Sequence, residues 1–428
     1  MTHIHSLAAV VFLTACLGVS ASELAAPKQT IITGTIAVTG NTRSTSQEIT
    51  DLLPSLSQAG GTVSIPLPQL ARELFEANRD PTRQLLLEFK PNGDKADINI
   101  RVAEESPVKF SLFSNNDGVP SSAGISRVGA AITHNDIFGT RWQVSRNVAP
   151  YAPSKMVQSS LSGTIPLRSM GDEITLSASD GYSSLGALYQ VFDIYGKSQT
   201  YSGCYVRYMD QSLKHVEKLS GCIDYKRTQN IVLFSGQDIG SITDSAPVSL
   251  AYSLTRQTYG IEAKVSLNTN IGQYNTQEAY RASKANTRQG WSSYYGKAYY
   301  LLSDFKFELE AGYSPDVLLP QESFGLGGAR SIRGLWDRQI VADSMVRGTV
   351  ERSFKLNESL SARLFSDMGI ARNNSGINQQ VEFHAVGFGM GLHYATKSVS
   401  AGVDVARADA NIATGHGLRG HAYAAVSF

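Results

Sequence analysis

The sequence predicts a mainly β fold: a 16-stranded antiparallel transmembrane β-barrel over residues 108–428, preceded by one small α+β domain over residues 30–106. Three observations predict it. From Val108 to Phe428, apolar and polar residues alternate with a period of two in runs of about ten broken by turns, the pattern of strands with one lipid-facing and one wet face. After residue 21, no apolar run reaches the ~20 residues that a membrane-crossing helix needs. A chain that crosses lipid without helices must close its sheet to satisfy every backbone group. The composition agrees: charged residues make up 18%, below the roughly 25% of soluble domains, and 38 Gly, 19 Tyr and 16 Phe stand out in their place. A mean hydropathy of −0.15 excludes a helical membrane protein. A net charge of +1 gives no reason to expect nucleic acid as a partner.

The first element is a secretory signal over residues 1–21. The apolar run LAAVVFLTACLGV is closed by Val19-Ser20-Ala21, a small-residue cleavage pattern, and His3 and His5 stand in its flank where Lys or Arg is usual. Lipoprotein processing at Leu13-Thr14-Ala15-Cys16 competes with this reading, and the continuation of the run past Cys16 weighs against it. Residues 30–38 are β-branched and strand-like, and Gly40-Asn41 makes a turn. Ser44 can cap a helix over residues 45–53, with Gln47 three residues on at the capping-box spacing. Residues 66–78 form a second helix, with Leu67, Leu70 and Leu74 at helical spacing. Strands follow at 82–89 and 96–102, joined by the turn Pro91-Asn92-Gly93-Asp94. The order is βααββ.

The barrel strands read as dyads. Val386, Phe388, Met390, Leu392 and Tyr394 oppose Gly387, Gly389, Gly391 and His393. Phe307, Leu309, Ala311 and Tyr313 oppose Glu308, Glu310 and Gly312, while Val346, Gly348 and Val350 oppose Arg347, Thr349 and Glu351. On residues 399–405, four apolar side chains oppose Ser400, Gly402 and Asp404. A soluble sandwich alternates too, but charges on the polar face of strand after strand suit a wet lumen. Tyrosine-rich strand ends such as Tyr294-Tyr295 and Tyr299-Tyr300 suit interfacial girdles. Short connections at 169–172, 258–260, 357–359 and 396–398 alternate with long ones at 183–197, 231–246, 274–290, 315–344, 373–383 and 407–417. At about 20 residues per strand and connection, roughly 320 residues give about 16 strands, an even number as closure with both chain ends on the periplasmic side requires.

Cys204 and Cys222 remain after residue 21, equidistant from Leu213 in a hairpin turning near residues 210–214. They are either a cross-strand disulfide, which an oxidising compartment permits, or two unrelated small buried residues. Two cysteines lack the spacing of a zinc site, so neither metal nor any other cofactor is expected. The most unusual stretch is SFGLGGARSIRGLWD at 323–337. Its Gly325-x-Gly327-Gly328 is not a GxGxxG turn and no βαβ pattern follows it. With no GxSxG elbow or HExxH helix either, the chain is not expected to be an enzyme.

That stretch resembles the inward-folded loop of the POTRA-barrel translocator superfamily, whose hallmark is a Val/Ile-Arg-Gly-aromatic turn. The matching residues are Gly327, Gly328, Ser331, Ile332, Arg333 and Gly334, in the third long connection from the C-terminus, which is the sixth in a barrel of about 16 strands. The βααββ segment resembles a POTRA domain, and LFEANRDPTRQLLLEFKPNGDKADINIRVAE resembles the membrane-proximal POTRA of two-partner-secretion transporters, the hemolysin secretion/activation proteins. The resemblance spans residues 30–428. It implies that Arg333 meets Asp367 on the lumen wall, within the Phe-x-Asp-x-Gly pattern Phe365, Asp367, Gly369. A lumen guanidinium is poorly hydrated and a bidentate carboxylate satisfies its fork. Glycines at 325, 327, 328 and 334 let the loop turn sharply against the wall. The last strand, with Val426 and the terminal Phe428, resembles the signal read by the outer-membrane barrel assembly machinery. The implied function is secretion of a partner exoprotein, captured by a periplasmic POTRA and threaded through the lumen of a monomer seated in outer-membrane lipids. Barrel insertion or lipid handling, and a passive pore, are the alternatives. Two departures are expected to matter: Leu335 stands where the family has an aromatic, with Trp336 beside it, and only about eight residues separate Ala21 from the first strand, which leaves one POTRA domain.

Overall fold

The computed structural model describes residues 30–428 apart from 58–63, 81, 168–171, 189–191, 212–214, 235–236, 239, 284–286, 375–380 and 414. The predicted signal over residues 1–21 and most of the tight turn at 169–172 lie outside the described residues. The chain divides into two compact units, with the boundary between Ser106 and Pro107.

The first unit contains β1 (Thr30–Thr39), α1 (Ser46–Asp51), α2 (Pro54–Ser57), β2 (Ser64–Pro66), α3 (Leu67–Ala77), β3 (Arg83–Asn92) and β4 (Lys95–Glu104). Its sheet order is β2-β1-β4-β3, with β1 and β4 parallel and the outer pairs antiparallel. Leu70 and Leu74, four apart on α3, face a core of Ile49, Leu53, Leu85, Ile98 and Ile100. The short α2 and β2 have too few residues to show a period and are absent from the sequence reading.

The first helix starts one residue later than expected. Thr45, not Ser44, is the N-cap, and Glu48, not Gln47, closes the capping box. Ser44 is engaged elsewhere: its hydroxyl donates to Glu104 Oε1 at 2.6 Å. The Glu104 carboxylate also accepts the amide N–H groups of Thr42, Arg43 and Ser44 at 2.7, 2.5 and 3.0 Å. Burial opposes its ionisation, but the hydrogen bonds from Ser44, Thr42 and Arg43 outweigh that and hold its pKa at about 2. A pKa lowered on folding contributes stability above the unfolded value that is lost as pH falls toward the folded one. Glu104→Gln is therefore expected to reduce amide-exchange protection at residues 42–44 above pH 5. The difference from wild type should shrink as pH falls from about 4.5 toward 2, after correction for intrinsic exchange.

The second unit is a closed antiparallel barrel. Its strands are β5 (Val108–Asn115), β6 (Arg127–Ile137), β7 (Thr140–Val148), β8 (Met156–Pro166), β9 (Glu173–Leu188), β10 (Phe192–Gln211), β11 (His215–Phe234), β12 (Gln237–Asp238), β13 (Ser241–Arg256) and β14 (Tyr259–Thr269). After α4 (Gln277–Ser283) come β15 (Ser292–Leu302), β16 (Phe305–Tyr313), β17 (Phe324–Leu326), β18 (Ile340–Ala342), β19 (Ser344–Lys355), β20 (Leu360–Arg372), β21 (Glu382–Ala395), β22 (Val399–Ala410) and β23 (Gly417–Ser427). β12 folds back on β11, and β17 pairs with β18 apart from the barrel, so sixteen strands form the wall. β23 closes on β5 from Tyr423↔Asn115 to Ser427↔Ser111, and Phe110 and Phe428 exchange backbone hydrogen bonds of 3.3 and 2.9 Å. Val426 lies in this seam, level with Leu112.

Alternation sorts the two faces as expected. Leu364, Met368 and Ile370 of β20 are about half exposed on the outside, while Phe365, Asp367 and Ala371 are buried on the inside. Two expected long connections are corrected. Residues 183–197 and 231–246 are mostly strand: β9 runs to Leu188 and β10 resumes at Phe192, while β11 runs to Phe234 and β13 resumes at Ser241. The sequence there, Leu185 to Leu188 and Ile231 to Phe234, does not alternate apolar with polar residues, so it shows no dyad and reads as loop.

Cys204 and Cys222 are joined by a disulfide between the neighbouring strands β10 and β11, with Cα atoms 4.1 Å apart. The sulfurs close a loop of sequence separation 18, which in the chain-entropy account stabilises by about 3 kcal/mol. The unfolded protein is expected to migrate more slowly after reduction, and Cys204→Ser to remove that shift; equal mobility in both states would count against the bridge.

Candidate functional site: the inward loop and its seat

The connection between β16 and β19, the eleventh and twelfth wall strands, carries the glycine–arginine stretch. Asp343 fastens its neck, accepting the Leu318 and Asn374 amides at 2.8 Å each. The β17–β18 hairpin carries the tip. There the Gly328 amide donates to the Leu335 carbonyl at 3.2 Å and the Gly327 amide to Ser331 Oγ at 3.3 Å.

The tip is driven against the wall by an apolar patch. Leu326, Ile332, Leu335 and Ile340 are at most 2% exposed and pack on Ala371, Ala385, Ala408 and Ala410. Leu335, at the position expected to be aromatic, fills this patch. Trp336 faces elsewhere: the Arg419 guanidinium lies 3.2 Å from its ring centre, a cation–π stack. Small wall residues let the backbones meet. A Cβ added at Gly387 would lie 2.4 Å from the Arg333 carbonyl oxygen, and one at Gly369 within 3.2 Å of both Leu326 and Ile332. Gly334 has φ +99° and its α-carbon faces the Ala408 backbone, so both its conformation and its space require glycine.

Arg333 is 4% exposed and Asp367 is fully buried. Arg333 Nε and Nη2 donate to the two Asp367 oxygens at 2.8 and 2.9 Å, and the Arg333 amide adds a third bond at 3.1 Å. The fork is thus bidentate. Its remaining nitrogen, Nη1, donates to Glu351 at 2.8 Å, and the guanidinium lies 3.3 Å from the centre of the Phe365 ring. Thr349 donates its hydroxyl to Asp367 at 2.9 Å. The charges continue along the wall: Arg363 reaches Glu351 at 3.5 Å and grips Asp404 with two nitrogens, and His393 lies 3.4 Å from Asp404. The Gly334 amide donates to His421 Nε2 at 3.1 Å, which ties the tip to the last strand.

The structure therefore brings Ser331, Ile332, Arg333 and Gly334 together with Phe365, Asp367 and Gly369. Val426 and Phe428 lie in the closing seam and the cysteines on β10 and β11. Among the described residues, no group of three or more His, Cys, Asp or Glu side chains is placed to hold a metal ion. The sequence family described as haemolysin secretion/activation protein ShlB/FhaC/HecB matches residues 94–394, more than half of the chain. The chain belongs to this family. Its members are two-partner-secretion transporters, and this family member is an outer-membrane β-barrel. Solved structures share the fold. CdiB from Escherichia coli superposes with a TM-score of 0.67 at 15% identity, covering 96% of this chain and 93% of that one. CdiB from Acinetobacter baumannii gives 0.64 at 15% identity over 93% and 74%. BamA from Haemophilus ducreyi lacking POTRA domains 1-3 gives 0.56 at 12% identity over 93% and 85%. No curated protein matches in sequence.

Sequence reading missed Glu351, Thr349, His421 and Gly387 as parts of the seat. Alternation puts Thr349 and Glu351 on the inner face of β19, but only the register Thr349↔Asp367 and Glu351↔Phe365 brings them to the arginine. His421 is 87 residues from Gly334 and carries no local signal.

Proposed function

We propose that this family member secretes one partner exoprotein from the periplasm to the cell surface through its barrel lumen. Family membership over residues 94–394 is the observation that carries this reading, and the seated Arg333 loop supports it as a movable obstruction in the path. The first unit acts as a single periplasmic POTRA domain. Among the described residues its outermost long strand, β3, pairs only with β4 in the sheet, so an extended exoprotein segment can add beside it by β-augmentation. Passage needs no nucleotide, and folding of the cargo outside supplies direction. The outer-membrane assembly machinery inserts the barrel by reading its last strand, and the protein works as a monomer.

Deletion of the gene tests the proposal. The expected result is loss of one large exoprotein from the surface and medium, restored by complementation. Broad loss of other outer-membrane barrels would replace the proposal with insertion or lipid handling. Unchanged export together with high conductance would replace it with a passive pore.

A further inference from the structure

The inward loop has a second attachment on the far side of the barrel. Glu322, in the arm before β17, accepts from Lys226 Nζ at 2.9 Å and from Ser245 Oγ at 2.6 Å. Lys226 on β11 and Ser245 on β13 are cross-strand neighbours, so the two form one pocket for one carboxylate. Next to it, Gln321 donates to Thr243 Oγ1 at 3.2 Å. β13 is the eighth wall strand and β23, which carries His421, is the sixteenth. The loop thus holds walls half a circumference apart and crosses the full width of the lumen. A sixteen-stranded barrel otherwise leaves an aqueous channel.

The two attachments are unequal. Arg333 and Asp367 have side chains 5% and 0% exposed and share a bidentate fork. Lys226 is 26% exposed and meets Glu322, itself 6% exposed, as a single point charge. Partial hydration screens that pair and lets water replace the lost bond on opening, which a buried fork does not allow. We propose that Glu322, with Lys226 and Ser245 as its positioning residues, is the releasable anchor of the loop: the lumen opens by loss of this attachment while Arg333 stays on Asp367.

This inference rests on the lumen being the path proposed above, but its test needs no cargo, so the two can fail separately. The full-length protein, with assembly checked by heat-dependent mobility, is placed in planar lipid bilayers. Glu322→Gln and Lys226→Gln are each expected to raise mean conductance several-fold over wild type. The charge-swapped pair Glu322→Lys with Lys226→Glu is expected to return it toward the wild-type level, a rescue that a merely structural role would not give. Ser245→Ala removes only a hydroxyl and is expected to raise conductance to a smaller degree; it keeps the test open if a charge variant fails to assemble. Wild-type conductance in the assembled single variants, or a swapped pair as leaky as either, overturns the proposal.

Discussion

Arg333→Ala is expected to abolish export while the barrel still assembles. The substitution leaves Asp367 buried without its fork and Glu351 without its partner. Breaking one side of a buried pair typically costs about 3–5 kcal/mol, enough to move the balance between seated and released tip by about a hundredfold or more. The immediate readout is protease access to residues 327–339 in cells. The second is the amount of exoprotein at the surface, and the control is heat-dependent mobility of the barrel. Arg333→Lys is expected to fail almost as fully. A lysine can meet one carboxylate oxygen, but it cannot place a fork on Asp367, a third donor on Glu351 and a flat cation on the Phe365 ring. Normal export by either variant would remove the role assigned to the arginine.

The second large effect is expected from the wall. Gly387→Ala adds one methyl group where the Arg333 carbonyl already lies, 2.4 Å from the new Cβ, closer than such atoms approach. The obstacle is backbone, so no side-chain rotation relieves it, and overpacking of this kind costs about 1–3 kcal/mol. The Arg333 variants remove an attraction, whereas this one adds a repulsion and leaves every charge in place. Export should fall and access to the tip should rise, though less than in Arg333→Ala. Gly387 faces inward, so the outer surface of β21, with Val386 and Phe388 about half exposed, is untouched and assembly should be normal. An alanine variant that exports like wild type would show that the tip is held less closely to the wall than the geometry requires.

The barrel was legible because lipid imposes a rule at every second residue. Val386, Phe388, Met390, Leu392 and Tyr394 could be assigned to the outside, and Asp367 to the inside, from parity alone. The arginine and its aspartate were legible through the resemblance of two short motifs. What could not be read was register. Parity says that Glu351 points inward, but only hydrogen-bond pairing places it level with Phe365. His421 and Glu322 depend on closure of the whole sheet, which no local pattern encodes. The shift of the first cap from Ser44 to Thr45 has a similar cause: a glutamate sixty residues away competes for the serine hydroxyl. The tall ends of β9 to β13 were not legible because runs such as Ile231 to Phe234 are apolar at consecutive positions and have no dyad to show.

Those tall ends have a consequence of their own. β10 and β11 have 20 residues each, whereas β7 and β16 have 9. At about 3.3 Å per residue and a tilt of about 40°, a 20-residue strand rises roughly 50 Å, about twice the ~25 Å apolar band. The barrel mouth is therefore lopsided, a high parapet of paired backbone on one flank and a low sill on the other. If the lumen is the export path proposed above, what leaves it is screened on the parapet side and free on the sill side, which gives the proposed exit a direction along the cell surface as well as away from it.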